Sequence, residues 1–118
     1  MTISKTALQA RRFAALGDPT RLSVFTLVAR APLSVAEVAD RLPVSRPAVS
    51  QHLKVLADAG LVQRESVGTR NLYRPDPDGI ATMRDCIDSL WDVGLARFKA
   101  HAEALARSRA AHLRKEKP

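Results

Sequence analysis

The stretch VSRPAVSQHLKVLADAGLV, residues 44 to 62, constrains this chain more than any other, because it specifies both ends and both faces of one helix. Ser45 is an N-cap whose hydroxyl can accept from a free backbone N–H of the first turn, and Pro47 falls where a missing donor costs nothing. Gly60 is the stop, able to take the left-handed conformation that closes a helix. Between them Val49, Leu53, Leu56 and Ala57 recur at threes and fours and form one buried stripe. Arg46, Ser50, Gln51 and Lys54 point away from it. Guanidinium, hydroxyl, amide and ammonium groups on one helix face suit the base edges and phosphates of a DNA major groove.

The flanking segments read as supports for that helix. Residues 3 to 16 form a helix ended by Gly17, with Leu8 and Phe13 among its apolar members. GDPTRL restarts the chain with Asp18 as N-cap and Pro19 at the first helical position. The helix it opens, to about Ala29, is apolar enough at Leu22, Val24, Phe25, Leu27 and Val28 for most of it to be buried. Ala31, Pro32 and Leu33 break it. Ser34 and Glu37 then make a capping box, so SVAEVADRL is a short helix ended by Pro43. A turn of about three residues, Pro43 to Ser45, leads into the helix at 45 to 59, which is the pattern of a helix-turn-helix. After Gly60, LVQRES and NLYRP alternate around a turn at Gly68 and predict a β-hairpin, the wing of a winged helix.

The last element opens with Asp76 as N-cap and Pro77 at the first helical position. Ile80, Met83, Ile87, Leu90, Trp91, Leu95, Phe98 and Leu105 repeat at threes and fours over about seven turns. A small core cannot cover a stripe that long. It is expected to pack against a second copy of the chain as a two-fold dimer, with the first helix contributing Leu8 and Phe13. Residues 107 to 118 are basic and poor in apolar groups, and are expected to fray, leaving residues 1–106 as one DNA-binding and dimerising domain. The fold class predicted is therefore mainly α with a β-hairpin wing: a winged helix-turn-helix of five helices, dimeric through the first and last.

Charge agrees with a polyanionic partner. The net charge is +7, and the excess is uneven: residues 1 to 75 carry 11 Lys or Arg against 5 acids, residues 76 to 118 carry 8 against 7. With aromatics at only 4% the core must be built mostly from Leu, Val and Ala. No run of about 18 apolar residues occurs, and MTISKTALQARRF lacks an apolar signal core, so a cytoplasmic protein with no membrane partner is expected. A single cysteine, Cys86, excludes an internal disulfide. The sequence has no glycine-rich phosphate loop, no nucleophile with a base and an orienter, and no converging carboxylates, so the chain is not expected to be an enzyme.

Taken together, FAALGDPTRLSVFTLV, LSVAEVADRL and VSRPAVSQHLKVLADAGLVQRESVGTRNLYRPD, in this order and with these gaps, resemble the ArsR-type bacterial transcriptional repressors over roughly residues 13 to 78. The resemblance implies a homodimer that binds an imperfect palindrome in double-stranded promoter DNA. The family's recognition-helix residues fall on Ser45, Arg46, Ser50, Gln51, His52 and Lys54, and its wing residues on Arg64, Arg70, Asn71 and Tyr73. The implied dimer interface falls on Leu8, Phe13, Met83, Ile87, Leu90, Trp91, Leu95 and Phe98.

Metal sensing does not carry over. Where one family site has a Cys-x-Cys pair, this sequence has Ser34 and Ala36, which offer no thiolate. A second family site sits on the closing helix. His101 and His112 are spaced to share a helix face there, but Lys99 and Lys115 occupy the remaining ligand positions. No metal site and no cofactor are expected, and the inducer stays open. Three residues each keep two readings: His52 as a DNA contact or a packing residue, Cys86 as a redox switch or a structural thiol, and Trp91 as a cavity wall or an interface residue. The whole domain also keeps two other readings: a protein-interaction or dimerisation module that binds no DNA, and a metal-responsive repressor with an atypical site at His101 and His112 on the closing helix.

Overall fold

A computed structural model describes residues 4–116. The element order is α1 (Lys5–Leu16), α2 (Pro19–Arg30), α3 (Val35–Ala39), α4 (Arg46–Asp58), β1 (Val62–Val67), β2 (Arg70–Pro75) and α5 (Pro77–Glu116). Five helices and a two-stranded antiparallel hairpin make a winged helix-turn-helix, as the sequence predicts.

Every helix begins at a side chain that satisfies an otherwise unpaired backbone donor. Ser4 Oγ accepts from Ala7 N–H, Asp18 Oδ2 from Arg21 N–H, and Ser45 Oγ from Ala48 N–H. Ser34 and Glu37 exchange both bonds of the capping box. Asp76 Oδ1 accepts from Asp78 N–H at 3.0 Å and Gly79 N–H at 3.4 Å. The other end of α4 is equally specified. Gly60 has φ 74°, and the amides of Gly60 and Leu61 donate back to the carbonyls of Ala57 and Leu56, each at 2.9 Å. This paired return closes the helix and drops Leu61 into the core.

The described chain forms two compact units, one ending at Arg84 and the other beginning at Asp85. The core of the first is built from Val24, Val28, Leu33, Val38, Val49, Leu53, Leu56, Leu61 and Met83, with Ala15, Ala59 and Val62. The second unit is the remainder of α5.

The structure corrects several expectations. Helix α3 stops at Ala39, so the connection to α4 spans residues 40 to 45 rather than three residues. Leu33 does more than end α2: it exchanges backbone hydrogen bonds with Tyr73 at 3.2 and 2.8 Å, a one-residue third strand beside β2. On α2 only Val24 and Val28 are buried, while Leu22 is 48% exposed, because one face alone of the helix meets the core. Ala57 is exposed, and Ala59, one turn after Leu56, takes its place in the stripe. Met83 is a core residue of its own protomer, 6% exposed, not a free interface position, because the first turns of α5 belong to the first unit. Finally, α5 runs without a break through position 106 to Glu116, so the segment expected to fray is helical. Its Ala, Arg, Leu and Lys content favours the helix even without packing. Ile3, the expected start of the first helix, and positions 117 and 118 of the expected tail lie outside the described residues.

Candidate nucleic-acid interface

The buried stripe of α4 orients its opposite face. Val49, Leu53 and Leu56 have no exposed surface at all, which leaves Arg46, Ser50 and Lys54 as an exposed ridge at spacings of four, with Gln51 beside Ser50. Ser45 is exposed, but its hydroxyl is engaged as the helix cap. Among the described residues Arg46, Gln51 and Lys54 have no side-chain hydrogen bond or ion pair, so their polar groups are available to a ligand. His52 differs. It is half-buried, where the others are exposed. The Asp18 carboxyl is held below its ordinary range first by the Arg21 backbone N–H it accepts from, then by the charges of Arg21 and His52.

The hairpin register sorts the wing residues. Arg64 faces Tyr73 and Ser66 faces Asn71 across the strands, while Val67 faces Arg70. By the two-residue alternation of a strand, Arg64, Asn71 and Tyr73 share one face, and Arg70 lies on the other with Arg74 and Glu65. Arg64 is exposed and carries no partner among the described residues. Asn71 Oδ1 accepts from Ser66 Oγ at 3.1 Å. Tyr73 is half-buried against the core and fixed through its backbone to Leu33. Arg70 forms an ion pair with Glu37 of α3, and Arg74 with Glu65 at 3.5 Å. Glu37 is thus both the capping-box residue and a partner for the wing. Its carboxyl is held below the ordinary range first by the Ser34 backbone N–H, then by the Ser34 side chain and Arg70.

The residues expected to meet DNA therefore divide. Arg46, Ser50, Gln51, Lys54 and Arg64 are exposed polar groups; Ser45 and Tyr73 are engaged in the fold; His52 is half-buried; Arg70 and Asn71 are exposed but engaged within the protein. Sequence reasoning misses Arg12, a buried charged side chain on α1 that donates through Nε to the Ala59 carbonyl at 3.0 Å. The signal is its place: on α1 it lies three residues from the buried Ala15, on the face that meets the core.

Of the positions expected in the dimer interface, Leu8 is half-buried and Phe13 37% exposed. Ile87, Leu90, Trp91, Leu95 and Phe98 are all between 47% and 70% exposed. Cys86 is half-exposed.

The family's thiolate site on α3 finds no ligands in these residues. Ser34 is occupied as a helix cap, Ala36 has no donor atom, and among the described residues no group of three or more His, Cys, Asp or Glu side chains could hold a metal ion. Nor, among them, is any helix long and apolar enough to cross a membrane.

A short helix, a turn, a capped second helix with a polar outer face and a following hairpin define a winged-helix DNA-binding protein. A helix-turn-helix domain model matches residues 16–65. The chain is 48% identical over 88 residues to the HTH-type transcriptional regulator Rv2034 of Mycobacterium tuberculosis, covering 75% of this chain and 82% of that one. Among solved structures it is similar to an ArsR-like transcriptional regulator from Rhodococcus sp. RHA1, with 39% identity, a TM-score of 0.69, and 85% and 97% of the two chains covered. It is also similar to the homodimeric winged helix-turn-helix DNA-binding domain of Mb0332 from Mycobacterium bovis, a possible ArsR-family regulator, at 28% identity and a TM-score of 0.60 over 78% of this chain and 88% of that one. The chain belongs to the ArsR-type helix-turn-helix transcriptional regulators. It is a DNA-binding regulator, a non-enzymatic kind of protein.

Proposed function

We propose that the protein is a homodimeric repressor that inserts α4 of each protomer into the major groove at the two halves of an imperfect palindrome in a promoter, in the cytoplasm. The observation that carries this is the outer face of α4, where Arg46, Gln51 and Lys54 stand exposed and unpartnered among the described residues, opposite a stripe with no exposed surface. Arg46 and Gln51 are placed to read base edges, Lys54 and Arg64 to hold phosphates, and Ser50 to do either. Ser45 and Tyr73 act by holding the elements, and Arg70 and Asn71 reach DNA only after giving up partners within the protein.

The dimer is supported by the apolar surface of α5, with Leu90, Trp91 and Phe98 at 66%, 67% and 70% exposure, and by the homodimeric state of the Mb0332 domain. Large apolar groups repeated along one helix are costly to leave in water. Release from DNA does not involve a thiolate metal site, because Ser34 and Ala36 offer no ligand for one.

Selection of DNA from a random duplex pool tests the proposal. The expected product has two-fold symmetry, with half-sites about one helical turn or a small multiple apart. If a dimer neutralises about eight phosphates, log affinity falls against log salt with a slope of about −7. Replacing Gln51 and Lys54 together with Ala is expected to abolish binding and leave the dimer intact. A slope near zero, or a monomer at micromolar concentration in sedimentation, overturns it.

A further inference from the structure

We infer that Arg12 is a positioning residue for DNA recognition: from behind the reading head, it fixes the direction in which α4 points, while touching no DNA. The inference rests on the DNA-binding function proposed above.

Arg12 is only 9% exposed, and among the described residues it is the one buried charged side chain. Burial of a guanidinium is costly unless its donors are used on a strong acceptor. The acceptor is the Ala59 carbonyl, at the C-cap of α4, where the helix dipole is negative and the carbonyls lack helical partners. Nη2 lies over the next residue, where a Cβ on Gly60 would be 3.3 Å from it. Nη1 is buried without a partner among the described residues.

The surroundings explain what the contact does. Gln9, three residues before Arg12 and so on the same face of α1, donates through Nε2 to the Thr82 carbonyl of α5 at 3.1 Å. One face of α1 therefore holds both the end of α4 and the start of α5. Helix α4 is a rod about 20 Å long, at 1.5 Å rise per residue, with Arg46 at the end far from Ala59. By that length, a tilt of about 5° about Ala59 moves Arg46 by roughly 1.7 Å, enough to break a bidentate base contact. The opposite end of the lever carries the recognition groups; Arg12 sets the angle.

The experiment compares Arg12→Met and Arg12→Lys with the wild type on two duplexes of equal length, the selected site and an unrelated sequence, at several salt concentrations. With Arg12→Met, affinity for the selected site is expected to fall about tenfold, the size of one lost base contact, while affinity for the unrelated duplex changes little. The salt slope should stay that of the wild type, because no phosphate contact is removed. Arg12→Lys keeps one charged donor for Ala59 and should restore part of the discrimination.

Equal losses on both duplexes, a slope reduced by about one, or no loss at all overturn the inference. Where Arg12→Met fails to fold by circular dichroism, Arg12→Lys is judged by the same ratio, and a wild-type ratio overturns it. A wild type that does not discriminate the duplexes refutes the proposed function instead, and this is visible before any variant is made.

Discussion

Gly79, in the first turn of α5, stands so close to Gly60 at the end of α4 that a Cβ on Gly79 would lie 1.7 Å from the Gly60 carbonyl oxygen. Both partners are backbone, so no side-chain rotation can relieve the contact. The approach is held from outside: Asp76 N–H donates to the Leu61 carbonyl at 2.8 Å, and Asp76 caps the same turn. Gly79→Ala is therefore expected to push α5 off α4 and to destabilise the domain by about 1–3 kcal/mol or more, as overpacking does. Thermal denaturation checks this, at roughly 4–8 °C per kcal/mol for a domain this small. An unchanged melting temperature would show that the two helices are not held together there.

One turn of α5 separates a core residue from a surface one. Met83 is 6% exposed and belongs to the core, whereas Ile87 is 50% exposed and Trp91 67%. Met83→Ala should cost about 2–5 kcal/mol of stability by leaving a cavity. Trp91→Glu should instead leave the helical circular dichroism unchanged and convert the proposed dimer into a monomer. Sedimentation together with thermal melts distinguishes the two effects. A Trp91→Glu protein that stays dimeric would place the interface elsewhere.

Local chemistry makes most of the fold legible in the sequence. Ser45, Asp18, Ser34 and Asp76 mark helix starts because an N-cap is decided by one side chain and the two or three amides after it. Gly60 marks a stop for the same reason. What escapes depends on partners distant in sequence. Leu33 pairs with Tyr73, forty positions on, and nothing in APLS announces a strand. Arg70 reads as a phosphate contact because its partner Glu37 lies 33 residues before it, on another element. Arg12 carries no local signal of its role, and only the tertiary fold shows the carbonyl it caps. Periodicity finds the α5 stripe but carries no sign of where the protomer's own core ends, which is why it groups Met83 with Ile87.

Acid should weaken the domain through two caps. The folded carboxyls of Asp18 and Glu37 both lie below their ordinary values, Asp18 chiefly through the Arg21 backbone N–H and Glu37 chiefly through that of Ser34. A depressed folded value means that the stabilisation is complete above the unfolded values, about 3.9 for Asp and 4.3 for Glu, and is lost as pH falls through the folded ones. The melting temperature should therefore lose these contributions only below about pH 4. Asp18→Asn keeps a competent N-cap but removes the charge, so its melting temperature should depend less on pH in that range than that of the wild type. Identical acid dependence in the two proteins would exclude a role for the Asp18 charge.

Two of the wing arginines, Arg64 and Arg70, should differ in how they report DNA. Arg64 is exposed without a partner among the described residues, so each phosphate it meets releases a counterion, and Arg64→Ala should make the salt slope shallower by about one per contact. Arg70 already faces Glu37. Before it can neutralise a phosphate it must leave or share that carboxylate, and a charge already compensated displaces fewer counterions. Arg70→Ala is accordingly expected to change the slope by less than Arg64→Ala, and to change stability little, as loss of an exposed ion pair does. Glu37→Gln should have the opposite effect on DNA, freeing Arg70 and steepening the slope, although it weakens the capping box of α3. Anisotropy titrations of the selected duplex across salt concentrations measure all three variants. Equal slopes for Arg64→Ala and Arg70→Ala would mean that DNA takes Arg70 from Glu37 completely, so that the ion pair belongs to the free protein alone.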